Sequence, residues 1–180
     1  NRKSPMLDLS WLSSRSIIAL ALIGATVRIL VAEQGFGASG MFAALGYGNE
    51  QLTDYIWVLA GATFGGMALS VVRLDPKDLT RPVLFAILVI CIAAFSDTRT
   101  GVMTRPQDLY LTQAAIAFAA VFAMGPIMME GMLRALAAGQ SYVISFIAIF
   151  SLSQSIGGLA GISLLSAFHT VRLKTHLIDA

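Results

Sequence analysis

Few residues in this chain could do chemistry, and the most unusual two lie where charge is costly. Arg28 and Glu33 interrupt the apolar run IIALALIGATVRILVAEQGF. A charge near the middle of a membrane span costs about 2.5–3.5 kcal/mol on insertion scales, so an ionisable residue there marks a functional position by default. Arg28 falls about 12 residues, or roughly 18 Å, into this stretch, and Glu33 some 8 Å further along the same rise. Five residues turn the two side chains about 140° apart on an ideal helix, which disfavours an intrahelical ion pair unless the helix is locally distorted. Each then needs a partner on another helix or a wet cavity. One reading makes them interhelical pins. The other makes Glu33 a carboxylate that exchanges protons and Arg28, always charged, an anion contact or fixed counter-charge.

A second polar position is Gln154, flanked by Ser151, Ser153 and Ser155 about halfway along the last apolar stretch. Uncharged hydrogen-bonding groups at that depth bond helix to helix or face a cavity. Gln34, beside Glu33, is assigned with Gln154 to cavity lining. The stretch FAMGPIMMEGM places Met124, Met128 and Met132 on one face, with Gly125 and Pro126 loosening the turn before them. Met124 and Met128 suit either ordinary packing or an adaptable lining for apolar ligands, and Gly125 and Pro126 form a candidate hinge. Glu130 and Arg134, four apart, read as an ion pair at the end of that span. Cys91, within an apolar run, reads as a small buried hydrophobe. His169 and His176 sit in a basic segment suited to headgroups rather than to a metal, so neither metal nor cofactor is expected. No paired carboxylates or His cluster has catalytic spacing, which disfavours an enzyme.

The elements that must position these residues follow from composition. The chain has 57% hydrophobic and 12% charged residues, with mean hydropathy +0.78. Soluble domains carry about 25% charged residues, so the partner of this surface is a lipid bilayer, not nucleic acid. The apolar runs are too long for barrel strands, and helices satisfy their own backbone in lipid. The fold class is all-α: a polytopic membrane helix bundle of five spans, over 16–45, 53–72, 82–95, 109–133 and 142–169. The third is short, and Gly35, Gly37 and Gly40 predict a bend or break in the first. Gly61 and Gly65, followed by Gly66, and the ridge Ser153, Gly157, Gly161 are small-residue stripes suited to close helix packing, static or sliding.

Loop charges set the orientation. Arg2, Lys3, Arg15, Arg73, Lys77, Arg81 and Arg134 fall on one side, and Arg99, Arg105, Arg172 and Lys174 on the other. The richer side is cytoplasmic, which puts the N-terminus in and the C-terminus out.

Taken in order, these stretches resemble the C-terminal half of a major facilitator superfamily transporter, most closely the fourteen-span drug:proton antiporter branch of the EmrB/QacA type. MLDLSWLSSRSIIALALIGATVR is similar to that branch's cytoplasmic lead into a span. MFAALGYGNEQLTDYIWVLAGATFGGMAL is similar to its following hairpin, with Ala43 or Ala44 where Gln is common. FSLSQSIGGLAGISLLSAFHTVRLKTHL is similar to its penultimate span, with Ser153 where Arg is frequent and Gln154, Gly157, Gly158 and Gly161 on the pattern. The resemblance implies that residues 1–180 belong to an incomplete major facilitator fold in a bacterial inner membrane, completed by an N-terminal half of the same chain. It further implies multidrug efflux: proton-coupled antiport of amphipathic small molecules by alternating access, with a periplasmic adaptor as a possible partner. An importer of organic solutes and a non-transporting structural subunit are the alternatives.

The orientation is testable by labelling. With Cys91 replaced by Ser, Lys77→Cys is expected to react with a membrane-impermeant maleimide from the cytoplasmic side only, and Gly48→Cys from the outside only. The reverse pattern would invert the topology.

Overall fold

A computed structural model describes residues 11, 13–48, 50–73, 75, 78–99 and 104–178. These residues form helices and connecting turns. α1 (Arg15–Ala32) runs through a π-helical segment (Glu33–Ala38) into α2 (Ser39–Ala44). Then follow α3 (Thr53–Arg73), α4 (Thr80–Asp97), a 3-10 turn (Pro106–Leu109), α5 (Tyr110–Ala138) and α6 (Gln140–Ile178). Five helical stretches are long and apolar enough to cross a membrane. The chain is a helical membrane bundle, as its composition requires.

The first span is continuous rather than broken. Its glycine-rich part changes winding from α to π, with the residues on either side of the π segment still in right-handed helical conformation. The third span is longer than its clean apolar run suggests. It covers Thr80–Asp97, 18 residues, or about 27 Å. Asp78 starts it by accepting the Arg81 N–H at 3.3 Å and pairing with the Arg81 side chain at 3.1 Å. Ser96 extends its other end by returning its hydroxyl to the Ile92 carbonyl at 2.9 Å. Pro126 lies inside α5 without ending it.

α5 is the centre of the bundle, packing against α1, α3, α4 and α6, while α1 lies along α6. Half of the α5 span is buried, against 17–22% of each other span. The remaining faces carry large apolar side chains such as Trp57, Phe64, Phe95 and Leu159. Water would not tolerate such a surface; lipid does. Cys91 corrects the sequence reading, because it is exposed on α4 rather than buried.

Close approach depends on particular glycines. A Cβ on Gly157 would come within 2.5 Å of the Ala25 carbonyl oxygen, and one on Gly161 within 2.5 Å of the Ala32 Cβ. These glycines therefore seat α6 on α1, as the ridge suggested. In α3 the close contact falls on Gly66, whose Cβ would strike the Phe118 backbone, while Gly61 faces open space. The expected Gly61–Gly65 stripe is thus displaced by a residue. The α5–α6 hairpin turns on Gly139 alone, at φ 137°, a conformation that side-chain-bearing residues rarely adopt.

Gly66→Ala is expected to lower the thermal midpoint of the purified protein, at a cost of about 1–3 kcal/mol for overpacking. Gly61→Ala should leave it unchanged or raise it, since helix propensity alone then operates. Equal effects at both positions would contradict this packing.

Candidate functional site

Two adjoining cavities, about 500 and 210 Å³, share Arg28, Val31 and Gln34 in their walls. Leu59 and Thr63 of α3, Met124 of α5, and Gln154 and Gly158 of α6 complete the polar and apolar lining around them. Ser39 of α2 and Ile162 of α6 also face them, so four of the five spans contribute, and α4 does not. The cavities lie where α1, α3, α5 and α6 converge, beside the turn of α1 that precedes the π segment.

Arg28 is exposed to this space, its Nε 3.6 Å from where a Cβ on Gly158 would stand. The arginine stem passes beside Gly158 of α6, where a Cβ would stand in ordinary van der Waals contact with it. Among the described residues Arg28 makes no hydrogen bond or ion pair. A fixed cation with five donors thus opens on apolar walls.

Gln154 leans over Gly24, where a Cβ would come within 2.7 Å of its Nε2. That nitrogen is buried and has no hydrogen-bond partner among the described residues. Leaving such a donor unsatisfied costs about 1–3 kcal/mol. The neighbouring hydroxyls do not help it. Ser153 donates to the Phe150 carbonyl at 2.7 Å and Ser155 to the Ser151 carbonyl at 3.1 Å, so each is satisfied on its own helix. Thr63 likewise donates to Leu59 at 2.8 Å.

Gln34 joins this site to a junction that the sequence reading missed. Its Nε2 donates to the Gln113 carbonyl oxygen at 2.8 Å. The fully buried Gln113 side chain donates from Nε2 to Asp97 at 2.7 Å and accepts from the Tyr55 hydroxyl at 3.4 Å. One glutamine therefore ties the π segment, α3, α4 and α5 together. The signal was present: Gln113 shares a face with Ile116, Ala117 and Ala120, and a polar residue on a buried stripe must find partners.

Other assigned residues lie elsewhere. Met128 packs against the main apolar core rather than in either cavity wall. Pro126 is buried and lines a third cavity of about 660 Å³, at the α3–α4 end, with Arg15, Asp78, Glu130 and Arg134. That cavity is larger, but its carboxylates are spent: Asp78 pairs with Arg81, and Glu130 accepts from Arg134 Nε at 2.6 Å. Gly125, next to Pro126, is partly buried within α5. Glu33 opens the π segment, and its side chain lies outside those described. No family model, curated protein or solved structure matches this chain.

Gln113→Leu is expected to destabilise the bundle by about 1–3 kcal/mol, because Asp97 and Tyr55 each lose a buried partner. Gln107→Leu, on the exposed 3-10 turn, should change stability by about 0.5 kcal/mol or less. Thermal unfolding in detergent compares the two, and a silent Gln113→Leu would remove the junction's importance.

Proposed function

We propose that this chain is part of a proton-coupled small-molecule transporter of the major facilitator type, exporting amphipathic compounds by alternating access. The observation that carries the reading is the Arg28 cavity, in which four spans bring a cation and amides together beside apolar walls. A structural subunit has little use for a guanidinium at membrane depth that has no partner among the described residues. Support also comes from the order of packing. α1 lies on α6 and α3 on α5, a crossed pairing that an inverted repeat of three helices would generate. Transporters built on such repeats bind near the midplane, at broken or irregular helices. The π segment beside Gln34 supplies an irregularity of that kind.

In this mechanism the bundle rocks against the other half of the protein. Gly157 and Gly161 let α6 move along α1 with no side chain between them, and Gly125–Pro126 gives α5 a weakened turn. Arg28, Gln34, Met124 and Gln154 contact substrate, and Met128 supports Met124 from the core. Glu33 carries the proton whose release and uptake drives the cycle. The protein works in the bacterial cytoplasmic membrane, with the α3–α4 turn inside and an adaptor available on the periplasmic side.

Reconstitution of the complete protein tests this. With a trapped pH dye, substrate movement is expected to be accompanied by counter-movement of protons, and Glu33→Gln should abolish that coupling in a normally folded protein. Unchanged pH-dependent transport by Glu33→Gln would remove Glu33 from the mechanism. Absence of any transport by the wild type would remove the mechanism itself.

A further inference from the structure

We infer that the Arg28 cavity selects amphipathic organic anions, holding a carboxylate on Arg28 while the apolar body lies against Val31, Met124 and Ile162. This deepens the transporter reading and rests on it for the site's use, though not for its chemistry.

Among the described residues Arg28 is the only ionisable side chain in the walls of the two cavities. Its charge attracts an anion into this space, and the low polarity around it strengthens that attraction. The other polar groups are unequal as partners. Thr63 and Ser39 have spent their hydroxyl hydrogens on the Leu59 and Gln34 carbonyls, and Gln34 has committed an amide hydrogen to the Gln113 carbonyl. Gln154 Nε2 is a donor with no described acceptor. Those hydroxyl oxygens and the glutamine carbonyl oxygens still accept, so the preference for an anion comes from the guanidinium charge, aided by the Gln154 Nε2 donor. A guanidinium fork matches a carboxylate through two parallel hydrogen bonds. A ligand cation would meet repulsion from Arg28 and no carboxylate among the described lining residues. Apolar walls and cavities of about 500 and 210 Å³ suit a compact ring system rather than an inorganic ion.

The test is equilibrium dialysis of the complete protein in detergent against three probes of one shape: naphthalene carboxylate, naphthalene carboxamide and naphthyl trimethylammonium. The carboxylate is expected to bind about tenfold or more tighter than the amide, the gain from a charge-assisted hydrogen bond, with the cation weakest. Arg28→Met should cost the carboxylate about tenfold or more and the amide distinctly less, with an unchanged thermal midpoint reporting that the variant is folded. Arg28→Lys should keep part of the preference, because it preserves charge but not the fork. Gln154→Leu should weaken the carboxylate more than the cation. Equal or tighter binding of the cation by the wild-type protein would overturn the inference without any variant. So would a uniform loss of all three probes in Arg28→Met. Selective carboxylate binding without pH-driven movement would keep this inference and sink the transporter reading; pH-driven movement of the cation alone would do the opposite.

Discussion

Inside a bilayer there is no water to complete an unfinished hydrogen bond, and the arrangement of this bundle follows from that constraint. Most hydroxyls along the spans are settled within their own helix. Thr26 returns to Leu22, Thr63 to Leu59, Ser96 to Ile92 and Ser155 to Ser151. These residues add polarity to the sequence without adding demand between helices. Ser70 is an exception, crossing from α3 to the Phe122 carbonyl of α5 at 3.2 Å. Amides cannot be settled so cheaply, since each carries two donors and an acceptor. Gln113, Gln34 and Gln154 therefore mark where helices must meet or where a cavity must open.

The two ends of the bundle solve different problems. Toward the α2–α3 turn, Phe42 packs edge-on to Tyr47 and Tyr55, with ring centroids 5.8 and 5.5 Å away, and forms a second small core with Ala38 and Leu109. The Gln113 junction sits beside it through Tyr55, so aromatic packing and the polar knot reinforce one another. Toward the α3–α4 turn, two carboxylates pair with arginines close in sequence, Asp78 with Arg81 and Glu130 with Arg134. Such partly exposed pairs contribute little stability. Between the ends, glycine contacts hold α6 to α1 and α3 to α5, and the Arg28 space lies between those two seams.

Sequence alone reached the class, the five spans and several of the side chains that meet at the cavity. Periodicity and depth were enough for Arg28, Gln154 and Met124, because a polar or soft side chain halfway along an apolar run has few places to go. The same reasoning placed Glu130 and Arg134 together, since four residues on a helix fix neighbours without tertiary knowledge. It failed where the answer lay on another helix. Gln113 looked unremarkable near the start of its span until Tyr55 and Asp97 were brought beside it. Gly61 and Gly66 could not be ranked before the rotation of α3 against Phe118 was known. Cys91 was expected inside because its neighbours are apolar, but in lipid an apolar neighbourhood says nothing about which face is outward.

The π segment has a consequence for how this span can change. An i→i+5 winding uses more residues per turn than the α-helix around it, so it resets the rotational phase of all that follows. Upstream, Arg28 crosses Gly158; downstream, Phe42 enters the aromatic core. The two halves of the span are thereby geared rather than rigidly keyed. Removing or adding one residue between Glu33 and Ala38 alters phase more than length. Such small insertions offer descendants of this chain a route to re-aim the cavity while the seam along α6 stays in register.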